Sequence, residues 1–285
     1  MNCNQKLQGL MLKDSTIAIY IILDDILKAI DHKEDVQHKV NDAMIMTTVL
    51  ISARYFGGNL TTASGYIRSH HCVDLLEKSR FNRRMHSCSL VMETVFRILG
   101  YVFKSENKFN YFTLDTFPVA VCHNIRISRC NLLEFEDYRG RNASKRIYFY
   151  GFKIAVIATE EGIPVEIAFI PGSYAEQSAL HRLPFDLPVG STVFGDSGFT
   201  DYEFEDFMDQ EEHIKMMIAR KKGSLRGDDF PTYITKKYFR RRIETTFSEI
   251  TAQFHKKIHA VTIEGFQYKI FAFIVAFAIC KFFEF

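Results

Sequence analysis

The sequence predicts an α/β protein: a mixed β-sheet flanked by helices, preceded by an all-α region. Three observations predict it. Residues 1 to about 104 carry apolar side chains at helical spacing. From about Phe109 runs of aromatic and β-branched residues take over, as strands require. After the first of these runs, strand and helix patterns alternate, which is the order that places helices against a sheet.

In the N-terminal region, Asp14-Ser15 is expected to cap a helix running to about Ile30. A second apolar stretch, Ala43–Phe56, ends at Gly57-Gly58, a helix stop, and Asn59 is placed to cap a short third helix through Ile67. Val73–Phe103 carries Leu90, Val91, Val95, Phe96 and Leu99 at helical spacing, with Lys78, Arg80, Arg83 and Arg84 forming a basic middle. These residues read as a small bundle with a positive rim, and the three arginines as candidates for phosphate contact.

Beyond it, Tyr111–Phe117 is a first strand and Ile147–Ile157 a second. Glu161-Gly162 turns the chain, and Pro164–Ile170 returns as the other arm of a hairpin closed by Pro171-Gly172. Glu176–Leu183 reads as a short helix, Thr192–Asp196 as a fourth strand, and Asp201–Glu212 as an acidic helix burying Tyr202, Phe204 and Phe207. Ile214–Ile218 is a fifth strand leading into a basic loop. Tyr238–Phe254 is a helix with Phe239, Ile243, Phe247, Ile250 and Phe254 on one face, and Glu264–Phe283 a final buried helix. This is the element order of a ribonuclease H-like domain. The expected division is a helical region over 1–104 and a five-stranded sheet domain over 105–285.

Composition excludes more than it assigns. At 47% hydrophobic and 25% charged the chain is an ordinary globular one. Its net charge of +2 gives little overall pull on nucleic acid, so local charge must be read instead. Cys3, Cys72, Cys88, Cys122, Cys130 and Cys280 form no C-x-x-C unit, and His70, His71, Cys72, His86 and Cys88 match no standard zinc spacing. Free thiols in a reducing cytoplasm are expected. Ile17–Leu27 is broken by Asp24 and Asp25, and Ile270–Cys280 is short of the roughly 20 residues that a membrane span needs. Both are expected to be buried helices, and no membrane association is expected.

Three acids stand out. Asp115 lies in an apolar strand among Phe112, Leu114 and Phe117. Asp196 ends the fourth strand before Ser197-Gly198, and Glu244 lies inside the helix after the fifth. In a ribonuclease H-like sheet the first and fourth strands are neighbours, so the two aspartates converge and the helix brings the glutamate to them. Asp201, Glu203 and Asp137 fit that geometry less well. Oxygen ligands of this kind suit hard cations, and two divalent ions flanking a phosphodiester activate both its attacking and its leaving oxygen. Arg220-Lys221-Lys222, Arg226, Lys236-Lys237 and Arg240-Arg241-Arg242 bracket Glu244, with Tyr233 and Tyr238 interleaved to stack on a base. Lys145 and Arg146 on the second strand are further DNA-contact candidates, and His123 follows the first acid.

The wording of several segments resembles a family. Asp115-Thr116-Phe117-Pro118-Val119-Ala120-Val121-Cys122 with Asn124-Ile125-Arg126-Ile127-Ser128-Arg129 looks like the first-aspartate segment of bacterial insertion-sequence transposases of the DDE type. Tyr138-Arg139-Gly140, Asn142-Ala143-Ser144-Lys145-Arg146, Tyr148-Phe149-Tyr150-Gly151, Pro171-Gly172-Ser173, Leu183-Pro184 and Leu187-Pro188 continue it. Gly195-Asp196 with Tyr202 resembles the second-aspartate segment. Arg242-Ile243-Glu244-Thr245-Thr246-Phe247-Ser248 with Ile258-His259-Ala260-Val261-Thr262 resembles the glutamate helix. The chain departs from the pattern at Ser197, where a basic residue is expected, and at Thr251, where a lysine is expected; Lys256 and Lys257 come later.

The resemblance implies that Asp115, Asp196 and Glu244 are catalytic and bind two Mg²⁺, replaceable by Mn²⁺. It implies double-stranded DNA as partner, both terminal repeats and target, and the local charge and aromatic interleaving set Lys145, Arg146, Lys221, Lys222, Tyr238, Arg240, Arg241 and Arg242 against it. Joining two ends implies at least a homodimer, in a bacterial cytoplasm close to the nucleoid. ATP is not expected, since phosphodiester bonds are exchanged and no P-loop pattern is present. A metal-dependent nuclease without strand transfer and an inactive DNA-binding derivative are the alternatives.

Overall fold

The computed structural model describes residues 3–142, 146–254 and 258–285. The chain forms two compact units. One comprises Met1–Leu99 with Ile250–Phe285, the other Gly100–Glu249. The expected boundary near residue 104 falls inside a helix, and the C-terminal residues group with the first unit.

The first unit is helical. Its helices are α1 (Cys3–Ala29), α2 (Asp42–Tyr55), α3 (Leu60–His71), α4 (Lys78–Ser87), the start of α5 (Ser89–Ser105) and, from the other end of the chain, α8 (Ile263–Phe282). Most residues of α2 and α8 are buried, which marks them as the centre of a bundle rather than its surface. Ile45, Met46, Leu50 and Ile51 of α2, and Ile270, Ile274, Val275 and Ile279 of α8, are fully buried. α8 is long and apolar enough to cross a membrane, yet most of it is buried. The caps obey side-chain chemistry. Asn41, Asn59 and Thr262 accept from the amides of Met44, Thr62 and Gly265. Ser15 does not cap α1, as the sequence led one to expect; its hydroxyl and that of Thr16 donate back to the Met11 and Leu12 carbonyls inside the helix. The stretch 73–103 is two helices, not one, broken at Cys88.

The second unit is built on six strands: β1 (Tyr111–His123), β2 (Arg139–Asn142), β3 (Ile147–Thr159), β4 (Pro164–Pro171), β5 (Thr192–Gly195) and β6 (Lys215–Ile218). Their order is β2-β3-β1-β5-β6, with β4 also on β3. β1 to β4 pair antiparallel, while β5 and β6 run parallel to β1. With helices α6 (Tyr202–Gln210) and α7 (Phe230–Gln253) the order is consistent with a ribonuclease H-like α/β fold. The sixth strand, β2, was not expected. Its three polar residues and one glycine carry no apolar alternation, and only pairing with β3 makes it a strand. Gly151 lets β3 follow the β1 bulge between Ala120 and Cys122, where a Cβ would lie 2.2 Å from the Val119 carbonyl oxygen.

Two expectations for the later helices are corrected. Phe207 is half exposed, and the buried side of α6 includes Glu205, paired with Arg220, and Met208. α7 begins at Phe230, so the basic segment around Tyr233, Lys236 and Lys237 is helix rather than loop. Asp229 caps it by accepting from the Thr232 amide, and Pro231 lies in the first turn, where its missing N–H costs nothing. The expected burial of Phe239, Ile243, Phe247 and Ile250 holds. Phe239 stacks on Phe194 with ring centroids 3.9 Å apart, and Phe247 meets Phe117 at 4.9 Å, so α7 lies across β1 and β5. Lys104 and Glu166 form a buried pair at 2.8 Å.

Candidate active site

β1 and β5 run parallel with Leu114 opposite Gly195 as the last paired position. Asp115 is the next residue on β1, and Asp196 is the first residue past β5. Parallel pairing thus sets the two acids side by side at one end of the shared register. Asp115 stays within β1, opposite Val156 of β3, and its Oδ1 accepts from the Thr116 amide at 2.7 Å. Asp196 caps the 3₁₀ turn Ser197–Phe199, accepting from the Ser197 amide at 2.6 Å.

Glu244 lies on α7 one residue past the buried Ile243. One turn earlier, Arg240 reaches both remaining acids: its guanidinium lies 3.4 Å from Asp196 Oδ1 and 3.3 Å from Glu244 Oε1. The three carboxylates do not all approach within 4.8 Å of one another. In this state Arg240 supplies the positive charge between two of them.

A cleft of about 340 Å³ opens here, walled by Asp196, Ser197, Lys237, Arg240, Arg241 and Glu244 among others. Burial pushes the Asp115 carboxyl up to about 7. The Thr116 hydrogen bond opposes this, the charges of Glu176 and Asp196 add to it, and Arg240 pulls back. Glu176, which begins the 3₁₀ turn Glu176–Ala179, therefore belongs to the neighbourhood. So does Lys153, whose Nζ donates to the Tyr174 carbonyl at 2.7 Å and is lowered in pKa by burial, with the Glu176 charge opposing. Sequence reasoning passed over both, because neither the β3 pattern nor a turn after Pro171-Gly172 distinguishes them from ordinary surface charges.

The basic residues divide by what they touch. Lys221, Lys222, Arg241 and Arg146 are exposed, as is Tyr238, which is 49% exposed. Arg242 donates to the Glu160 carbonyl at 2.7 Å and to the Tyr238 hydroxyl at 3.3 Å. Arg220 grips Glu205, Arg226 binds Asp206 through two 2.7 Å hydrogen bonds, and both lie against the Tyr202 ring. Lys236 is buried on the Ile218 carbonyl and Asp228. These three hold α6, β6 and α7 together. Lys145 lies outside the described residues, as do Lys256 and Lys257. His123 ends β1 and is exposed.

In the helical unit, His32, Glu34 and Asp42 form the one group among the described residues whose atoms are spaced for a metal ion. Arg84 already lies 2.7 Å from Asp42, and His32 lies 2.9 Å from it. Burial disfavours the Asp42 anion, but the His32 and Cys88 hydrogen bonds and the Arg84 charge outweigh it and hold the carboxyl below its usual range. That is a mostly buried ion-pair network at the start of α2, and it takes Arg84 out of the set of free phosphate contacts. Cys72, Cys88, Cys122, Cys130 and Cys280 are free thiols.

A ribonuclease H-like sheet with two acids on adjacent strands and a third on the helix across them is one of the frameworks on which DNA strands are processed. Residues 105–261 match the family model described as the transposase DDE domain. That match covers more than half of the chain, and the chain belongs to this family of DDE transposases. No curated protein and no solved structure matches it.

Proposed function

We propose that the protein is an insertion-sequence transposase that binds element ends, cleaves there and joins the freed 3′ ends to target DNA, with Asp115, Asp196 and Glu244 as metal ligands. The observation that carries this reading is the Leu114–Gly195 register, which sets Asp115 beside Asp196, together with the reach of one guanidinium to both Asp196 and Glu244.

The residues fit a divalent cation. The donors are all carboxylate oxygens, which hard cations prefer. Two of them already share a single positive group, Arg240. A pair of divalent ions, when bound, polarises the scissile phosphate and the attacking oxygen. The chain's own residues do the rest. Asp115, half-buried among apolar neighbours, is rigid because β3 and β5 fix its strand. Arg240 must release Asp196 and Glu244 for both to become ligands, and its charge is then free for a DNA phosphate. Lys221, Lys222 and Arg241 line the approach with exposed charge that positions backbone phosphates without reading sequence. Tyr238 offers an exposed ring to an unpaired base.

The test is an oligonucleotide carrying the cognate terminal repeat, incubated with the protein and Mg²⁺. Joined product is expected, lost in Asp115→Asn, Asp196→Asn and Glu244→Gln. Cleavage without joining would make the protein a nuclease, and activity retained in all three variants would overturn the site.

A further inference from the structure

Glu176 is not one of the three acids, yet its charge acts on Asp115. Its turn packs against the Ser197–Phe199 turn that follows Asp196. A Cβ built on Gly198 would lie 1.7 Å from Glu176 Oε2 and 2.8 Å from its Cδ. The carboxylate thus fills the space that any side chain at 198 requires, two residues past Asp196. Among the described residues no donor hydrogen-bonds it. Lys153 is the cation that responds to its charge, but the Lys153 ammonium is held by the Tyr174 carbonyl. Arg240 is engaged on Asp196 and Glu244.

A half-buried carboxylate that accepts no hydrogen bond, with the nearby cations engaged elsewhere, is a place where a divalent cation adds stabilisation. We propose that Glu176 is a further carboxylate ligand of the divalent metal at this site, and that Gly198 is glycine because its missing side chain leaves room for that carboxylate. The inference rests on the assignment of Asp115, Asp196 and Glu244 as metal ligands. It assigns the Glu176 turn, which the sequence marks only as a short helix, to the metal site. It also supplies a local reason for Gly198. The atom that a Cβ would meet is the flexible end of a side chain, so alanine there displaces the carboxylate and leaves the turn in place.

The experiment titrates Mn²⁺ alone into the full chain, by calorimetry and by electron paramagnetic resonance, for wild type, Glu176→Gln, Gly198→Ala and Asp115→Asn. Metal-free melting temperatures confirm that each variant is folded. Glu176→Gln and Gly198→Ala are each expected to weaken Mn²⁺ binding by about 10-fold or more, the second without removing any charge. If both bind Mn²⁺ as wild type does while Asp115→Asn does not, the role of Glu176 is overturned and the three-acid site stands. If Asp115→Asn also binds as wild type, the three-acid site itself falls, and the Glu176 inference with it.

Discussion

Asp115 and Asp196 are neighbours because Leu114 and Gly195 are the last facing residues of the parallel strands β1 and β5. The two acids are far apart in sequence and adjacent in space for a reason of register alone. Burial is the main cause that pushes Asp115 up to about 7, and the neighbouring charges of Glu176 and Asp196 add to it.

That burial carries a stability cost that depends on pH. The Asp115 pKa is raised on folding, so the folded chain holds its proton over a pH range in which the unfolded chain has lost it. The penalty is absent below about pH 4, grows through the interval up to about 7 and is complete above it. Asp115→Asn is therefore expected to abolish activity and yet stabilise the metal-free protein above pH 7, by on the order of 1–3 kcal/mol. Urea denaturation of both proteins at pH 4 and pH 8 checks this. The difference should vanish at the lower pH.

At the proposed metal site, Arg240 and a metal ion compete for the same two carboxylates. Removing the guanidinium by Arg240→Gln is expected to tighten Mn²⁺ binding several-fold while weakening DNA cleavage. Its effect on folding should stay within about 1 kcal/mol, since the ion pair is exposed. Calorimetric titration reads the first effect, and weaker Mn²⁺ binding in the variant would contradict the competition.

The basic residues should separate by experiment as they do in space. Replacing Lys221, Lys222 or Arg241 by alanine is expected to weaken DNA binding across sequences and to lower the salt slope by about 0.9 for each phosphate that is no longer neutralised. Arg220→Ala and Arg226→Ala should instead lower the melting temperature, because those side chains tie α6 to the segment after β6. Fluorescence anisotropy at several salt concentrations distinguishes the two groups.

Lys104 and Glu166 provide a control far from DNA chemistry. Burial raises the Glu166 carboxyl pKa and the Lys104 ammonium opposes that rise, while the Phe185 amide supports the other oxygen at 2.9 Å. Lys104→Met leaves a buried acid without its cation and should cost about 3–5 kcal/mol. Adding Glu166→Leu to that variant should recover much of the loss, as measured by chemical unfolding.

Much of the fold is legible in the residues. The β3–β4 hairpin turns at Gly162, which takes a positive φ of 81° as the Glu161-Gly162 pair implies. The spacing of apolar residues along α7 is enough to name Phe239, Ile243, Phe247 and Ile250 as its buried face. Edge strand β2 is not legible, because three polar residues and a glycine have no pattern until β3 pairs with them. The start of α7 is obscured because the basic run around Lys236 resembles a loop when its charges are assumed to be solvated. Lys236 is in fact buried on the Ile218 carbonyl and Asp228.

The sequence by itself determined the order of most elements, the helical region followed by a mixed sheet, and the strand or helix contexts of the three candidate acids. Local propensity and periodicity suffice for that, since each depends on residues near one another in the chain. Only the tertiary structure decided which charges are free and which are held, that Arg240 sits between Asp196 and Glu244, and that Glu176 occupies the space left by Gly198. Those facts depend on segments brought together by strand register and helix packing. A charged residue in a sequence looks the same whether its partner is water, a carbonyl or an acid many residues away.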